Sequence, residues 1–222
     1  MYLLFVIEYL NLVIAFFSIA VGIKSLKFLT ESRILIFIPI LSVLQTILSE
    51  LLGINDPQNL VSITTINLIN TYICAEYFLI CLYFWKISQR RGHKAYIITS
   101  IPIIITSIFI SNYNLHEKSP FKLDIFLFIE GPIVLIIALL LTIELIKKRK
   151  TKDYNTSSNL IATLGILFSF FISWPTTIIQ NNLRNINSPI YKLSFIFTSI
   201  AYLIFFSFLS YSFYVARKSR II

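Results

Sequence analysis

Long apolar runs and short polar connections alternate along the whole chain. Each apolar run is about 20 residues long, which is the length that an α-helix needs to cross the roughly 30 Å hydrocarbon core of a bilayer. The pattern predicts an all-α fold, an integral membrane bundle of seven transmembrane helices. The predicted helices lie at about residues 2–23, 34–54, 62–85, 95–112, 123–146, 158–180 and 190–214.

Composition favours the same interpretation and narrows the function. Of the 222 residues, 57% are hydrophobic and only 13% are charged, whereas a soluble domain has about 25% charged residues. Seven spans occupy most of residues 1–222, so we expect a single domain with no room for a soluble catalytic unit. His93 and His116 fall in predicted connections, and the sequence contains no Walker or GxSxG motif. We therefore expect no enzymatic activity and no cofactor.

The basic residues predict the orientation. Only Lys118, Lys122, Arg184 and Lys192 lie on one side of the predicted bundle, and the positive-inside rule places the richer side in the cytoplasm. The N-terminus is then outside and the C-terminus cytoplasmic, as in a multi-pass protein of a bacterial inner membrane. Despite a net charge of +9, we expect these cations to contact the lipid bilayer and not nucleic acid. The other fifteen of the 19 cations are Lys24, Lys27, Arg33, Lys86, Arg90, Arg91, Lys94, Lys147, Lys148, Arg149, Lys150, Lys152, Arg217, Lys218 and Arg220.

Small and polar residues indicate which helix faces are buried, because helices in lipid pack through such side chains. The third predicted helix has polar groups on two opposite sides, which places it near the centre of the bundle. The fourth has no ionisable residue inside it, so we expect it at the periphery. The sixth carries a stripe that is either a packing face or the lining of a cavity: Gly165, Ser169, Ser173, Thr176 and Gln180.

Three carboxylates inside apolar runs are the strongest functional candidates: Glu8, Glu76 and Glu130. A charged side chain at the centre of a span costs about 2.5–3.5 kcal/mol on insertion scales. No lysine or arginine lies deep in any predicted helix to pair with them. Their partner is a polar neighbour, a proton or an incoming cationic ligand, and the sequence leaves these alternatives open.

Depth in the membrane groups the carboxylates with nearby amides. We expect a polar outer half and a dry inner half, a pattern that favours a cavity open to the outside. Glu144, beside Lys147 and Lys148, is interpreted as an interfacial charge. The candidate ligand-binding residues are Glu8, Asn11, Gln45, Asn70, Glu76 and Glu130.

Two prolines interrupt predicted helices. Pro132 and Pro175 lack an N–H, so each leaves the carbonyl four residues earlier without its usual partner. Both positions are expected to bend or loosen their helices. A structural kink is one interpretation and a moving gate is the other.

The stretch NTYICAEYFLICLY at residues 70–83 resembles the third helix of short seven-helix bacterial membrane proteins of unassigned function. That resemblance implies the same fold and brings no activity with it. The size and topology are also similar to semi-SWEET and PQ-loop transporters, which have three helices, a linker helix and three more. FVIE at 5–8 and LFIE at 127–130 open the first and fifth helices alike. Pro57 and Gln58 lie in a predicted connection, however, whereas the diagnostic Pro-Gln pair of that family lies within a helix.

Three functions fit these observations. The first is a receptor-like sensor that binds a small-molecule or cationic ligand in an outward-facing polar cavity and signals to a cytoplasmic protein on the basic loops. The second is a small-solute transporter with a 3+1+3 repeat and alternating access. The third is a non-binding accessory or membrane-perturbing subunit that acts through assembly, for which a homo-oligomer is possible.

Overall fold

The computed structural model describes residues 2–29, 31–51, 63–116, 125–148, 154–182 and 189–218. Within these ranges the chain is almost entirely helical and contains no β-strand, which confirms the predicted all-α class. A 3-10 helix, Ser32–Ile36, leads into the second of seven α-helices in the described residues. These are α1 Tyr2–Ser25, α2 Phe37–Leu51, α3 Ile63–Ile87, α4 Arg91–His116, α5 Ile125–Lys148, α6 Tyr154–Asn182 and α7 Pro189–Lys218.

The observed helices extend beyond several predicted ends. α4 begins at Arg91, four residues before the predicted start, and α7 continues to Lys218. An apolar run marks the part of a helix that matches the hydrocarbon depth, whereas the backbone hydrogen bonds continue through polar residues that reach water or headgroups. The hydrophobic pattern therefore located each helix but underestimated the length of several, whereas α5 has its predicted length and residues 34–36, predicted as α-helix, belong to the 3-10 helix.

The helices form a closed ring. Each packs on its neighbours in the sequence, α1 closes the ring on α7, and α3 also contacts α5 across it. The C-terminal ends of α1, α3, α5 and α7 lie beside the N-terminal ends of α2, α4 and α6. We call this end, which carries Lys24, Lys86, Lys147 and Arg217, the basic end.

Three described segments are long and apolar enough to cross a membrane, which indicates a membrane protein. They are Phe128–Lys148, Thr156–Ile179 and Pro189–Lys218, from α5, α6 and α7. Two shorter apolar segments, Tyr9–Ser25 and Ser32–Leu48, join them in the bundle. Large apolar side chains such as Phe17 and Phe171 point outward, with 60% and 68% of their surface exposed. An outer surface of this kind suits contact with lipid.

α3 has neighbours on more than one side, as the polar groups on opposite faces of the third predicted helix led us to expect. Tyr77 of α3 donates a hydrogen bond to Ser100 of α4 at 2.7 Å, and Tyr83 donates one to the Asn159 carbonyl of α6 at 2.9 Å. α3 also packs on α2 and α5. α4 lies at the periphery as predicted, because in its described side chains only one narrow stripe is buried: Ile97, Ser100, Ile104 and Ser107.

A glycine lets α6 and α7, the most extensively packed helix pair, approach closely. A β-carbon placed on Gly165 would lie 2.6 Å from the β-carbon of Phe208 on α7. Such a contact is too short for real side chains, so only glycine fits here. At Gly165, the polar stripe of α6 is thus a packing face, which is one of the two interpretations that the sequence allowed.

We expect Gly165→Ala to lower the free energy of unfolding by about 1–3 kcal/mol, because the added methyl overpacks the α6–α7 contact. The measurement is thermal unfolding of the purified protein in detergent. Gly92→Ala is the matched control, since a β-carbon on Gly92 meets nothing within 4 Å. Equal melting temperatures for the two variants would contradict the close approach.

Candidate functional site

A small cavity lies between α3, α5, α6 and α7 and has a volume of about 70 Å³. Two carboxylates, two serines, a threonine and four aromatic residues contribute to its wall among the described residues. The lining residues are Ile73, Glu76, Glu130, Gly131, Ser169, Phe170, Ser173, Trp174, Thr177, Ala201, Tyr202 and Phe205.

Glu76 and Glu130 are both almost completely buried, at 5% and 4% exposure. Glu76 lies in the middle of α3 and Glu130 in the second turn of α5, and both line the same cavity. Within the described part of the chain, no lysine, arginine or histidine forms an ion pair with either carboxylate. Two negative charges side by side in an apolar bundle are strongly unfavourable unless a proton or another cation compensates them.

Among the other polar groups of the cavity, Ser169 offers an oxygen atom that can accept a hydrogen bond. The Ser169 hydroxyl donates its proton to the Ile166 carbonyl at 3.0 Å, so its lone pairs remain for a ligand. The Tyr72 hydroxyl lies beside the Glu76 carboxylate, one turn earlier on α3. It is buried and makes no hydrogen bond of normal geometry in the described structure. The cavity therefore combines two buried carboxylates with the acceptor oxygen of Ser169, and the Tyr72 hydroxyl lies next to Glu76 without lining the cavity.

Gly131 and Trp174 bring α5 and α6 together at one side of the cavity. A β-carbon on Gly131 would overlap the indole ring of Trp174, so the ring packs directly on the α5 backbone. Each of these residues precedes a proline, Pro132 on α5 and Pro175 on α6. Both helices run through their proline without interruption. The two prolines thus flank the cavity without lining it, and their role as a gate stays a prediction.

The size of the cavity restricts what it can hold. A single water needs roughly 10–15 Å³ of such space, so the cavity has room for about five waters or a small hydrated ion. Pockets for organic ligands of drug size are about 300–1,000 Å³. In the described residues, no group of three or more His, Cys, Asp and Glu side chains is arranged to hold a metal ion. By size alone, the cavity suits a few waters or a small ion better than an organic ligand of drug size.

The structure brings together only part of the candidate set from the sequence. Glu76 and Glu130 share the cavity. Asn11 on α1 and Gln45 on α2 are half-buried and do not line it, although the buried Oδ1 of Asn11 has no hydrogen-bond partner in the described structure. The side chains of Glu8 and Asn70 lie outside the described residues.

Sequence reasoning missed the aromatic residues of the site. Trp174 and Tyr202 lie in long apolar stretches of the sequence, and aromatic residues in such stretches are usually interfacial or core residues. The serines of α6 were noted as a possible cavity lining, and Ser169 and Ser173 do line it. The sequence held one partial indication that Trp174 belongs to the site: it precedes Pro175, just as Gly131 precedes Pro132 on the neighbouring helix.

The basic end is not dry, contrary to the sequence prediction. Ser158 on α6 and Ser212 on α7 exchange hydroxyl-to-carbonyl hydrogen bonds of 2.8–3.0 Å. The Asn159 side chain reaches Glu31 at 3.4 Å, and Thr163 lies 3.3 Å from the Tyr83 hydroxyl. The prediction was wrong because serine, threonine and tyrosine in apolar runs give little polar signal, whereas their hydroxyls pair across helices in the fold.

Glu144 is a buried carboxylate with three partners, one of which is Lys148, a lysine that the sequence placed beside it; its interfacial depth stays a prediction. Its Oε1 lies 2.7 Å from Lys148 Nζ, and its Oε2 lies 3.0 Å from His93 Nδ1. The backbone N–H of Gln89 donates to Oε1 at 3.2 Å. Glu144 thus ties the end of α5 to the connection between α3 and α4. Its contacts with Gln89 and His93 could not be predicted from its proximity to lysines in the sequence.

No known protein family, curated protein or solved structure matches this chain. The resemblances noted from residues 70–83 and from the topology therefore stay predictions.

We expect Glu144→Ala to lower the free energy of unfolding by roughly 1.5–3 kcal/mol, because hydrogen bonds to a charged group of this kind are lost. Thermal unfolding in detergent measures the change. Gln89→Ala is the control: this residue contributes its backbone N–H, so the variant should melt within a degree or so of the wild type. A silent Glu144→Ala would show that the contacts contribute no net stability.

Proposed function

We propose that the chain crosses the membrane seven times, with the N-terminus outside and the basic end in the cytoplasm. The closed ring of seven helices and the location of basic residues at one end support this topology. In bacteria and eukaryotes alike, cytoplasmic connections carry the excess of lysine and arginine.

Cysteine labelling tests this topology. The native Cys74 and Cys81 lie within α3, so they are replaced by Ser before Lys150→Cys or Lys118→Cys is introduced. A membrane-impermeant maleimide on intact cells should label the cysteine at 118 and not the one at 150. Labelling at 150 in intact cells would reverse the orientation.

We propose further that the protein is a membrane sensor whose ligand is a small monovalent cation, bound between Glu76 and Glu130. The pairing of two buried carboxylates without a basic partner in the described residues is the observation that carries this proposal. A bound cation removes the repulsion between the carboxylates and gains attraction to both. The ring of Trp174 adds a cation–π surface on the same wall.

Helices α3 and α5, which carry Glu76 and Glu130, connect the cavity to the basic end. Glu130 lies on α5 roughly 21 Å from Glu144, at 1.5 Å per residue, and Glu144 holds the connection that follows α3. A cation that draws Glu76 and Glu130 together shifts α5 against α3. Pro132 lacks the N–H that would tie its turn of α5, which favours such a shift, and the contact of Glu144 with Gln89 and His93 receives it. A cytoplasmic protein docked on the basic connections would read the change.

The ring arrangement supports a sensor more than a 3+1+3 transporter. Two three-helix repeats would each form their own bundle, with α1 against α3 and α5 against α7. Neither pair is among the extensively contacting helices of the described structure, whereas α1 and α7 pack closely. The small cavity also suits an ion better than a larger solute.

Intrinsic fluorescence offers a direct test, because Trp174 lines the cavity and Trp85 is the other tryptophan of the chain. In a Trp85→Phe background, we expect Na⁺ or K⁺ to change Trp174 emission in a saturable way, at ionic strength held constant with choline chloride. Glu76→Gln and Glu130→Gln should each abolish the response, because loss of one charge about 4 Å from a cation costs roughly 4 kcal/mol at an effective dielectric constant of 20.

Glu144→Gln in the same background is the matched control, since it removes a buried carboxylate outside the cavity, and its cation response should persist. If Glu76→Gln is silent and Glu76→Leu lowers stability by roughly 0.6–2 kcal/mol, Glu76 is only a structural hydrogen-bonding group. Cation flux into liposomes that depends on Glu76 would assign the same site to transport.

A further inference from the structure

A second concavity lies on the outer surface of the bundle, between α1 and α7. It has a volume of about 450 Å³ and is open along its length. Three apolar side chains of α1 form one wall, and two tyrosines and two serines of α7 form the other. The lining residues are Ile14, Phe17, Val21, Ser207, Ser210, Tyr211 and Tyr214.

The groove follows the helical repeat on both sides. Ile14, Phe17 and Val21 recur at spacings of three and four on α1, so they form one continuous stripe. Ser207 and Ser210 are small and leave space between the helices. The Ser210 hydroxyl donates to the Phe206 carbonyl at 2.8 Å within its own helix, so it requires no polar partner from an occupant. The groove therefore accepts an apolar chain without a desolvation penalty at this position.

Positive charge gathers where the groove meets the basic end. Lys24 follows Val21 by three residues on α1, and Arg217 and Lys218 follow Tyr214 by three and four residues on α7. At these spacings the charged residues continue the groove-facing stripes. All three are exposed, and none forms an ion pair within the described residues.

We propose that this groove binds an anionic phospholipid, with an acyl chain between α1 and α7 and the headgroup phosphate on Lys24 and Arg217. Basic pockets between transmembrane helices on the cytoplasmic side suit anionic headgroups. The exposed Tyr211 and Tyr214 stand between the apolar floor and the cations, at the depth where amphipathic rings are favoured. The proposal rests on the placement of the bundle in a membrane and is independent of the cation site.

A second copy of the chain fits the groove less well. A helix with its side chains is about 10–12 Å across, so 450 Å³ corresponds to roughly one helical turn. The groove also extends only about 10 Å along each helix, from Ile14 to Val21 on α1. A single acyl chain is thinner than a helix and fills such a space lengthwise. The adjoining cations would repel the same cations of a second copy.

The test is lipid binding to the purified full chain in detergent, measured by native mass spectrometry and by the melting temperature. Phosphatidylglycerol and phosphatidylcholine with identical acyl chains are the probes. We expect phosphatidylglycerol to bind and to raise the melting temperature more than phosphatidylcholine. Each basic residue near an anionic headgroup contributes roughly fivefold in affinity, so Lys24→Gln with Arg217→Gln should weaken phosphatidylglycerol binding by roughly 25-fold.

The control variant is Lys86→Gln with Lys147→Gln, which removes the same charge from the basic end away from the groove and should bind phosphatidylglycerol as the wild type does. Ser210→Trp fills the groove and should reduce binding of both lipids. Equal loss in the control pair would overturn the proposal, since the attraction would then be a general effect of charge. A dimer that Ser210→Trp dissociates, with lipid binding unchanged, would overturn it in favour of a second copy.

Discussion

Compensation of charge inside an apolar bundle is the constraint on which the rest of this structure depends. The protein meets it in two different ways. At the basic end, Glu144 receives Lys148, His93 and a backbone N–H, so its charge is satisfied by the chain itself. In the central cavity, Glu76 and Glu130 form no ion pair in the described residues. Glu144 is therefore a structural contact between helices, whereas the charges of Glu76 and Glu130 need a proton or a bound cation to compensate them.

The hydrophobic pattern was sufficient to predict the seven helices, since an apolar run of fixed length has few alternatives. It also predicted that α3 has neighbours on more than one side and that α4 is peripheral, because polar groups in lipid must face protein. The same logic singled out Glu76 and Glu130 before any contact was known. Helix ends were less predictable: residues such as Arg91 are polar but still helical, so the polar pattern and the hydrogen-bonded backbone end at different places.

The parts of the site that sequence reasoning missed depend on which helices are neighbours. Trp174 becomes a cavity residue only because Gly131 on another helix has no side chain to exclude its ring. Asn11 and Gln45 share an expected depth with Glu130, yet they lie on α1 and α2, which do not line the cavity. The position of a residue along its helix predicts its depth in the bundle. Whether two residues line the same cavity depends instead on the order of the helices around the ring. The buried hydroxyl pairs of the basic end were hidden for the same reason.

The contact between α1 and α7 has a consequence for how the protein is made. In the seven-span topology proposed above, a chain that enters the membrane helix by helix from the N-terminus can close the ring only when its last helix arrives. Until then α1 and α6 lack the neighbour on which both pack, and the cavity lacks the wall that contains Tyr202 and Phe205. The two carboxylates would meanwhile face lipid or water through the gap. Completion of synthesis and enclosure of the charged centre are thus a single event, and a chain cut short before α7 would display its acidic interior to the membrane and to the proteases that survey it.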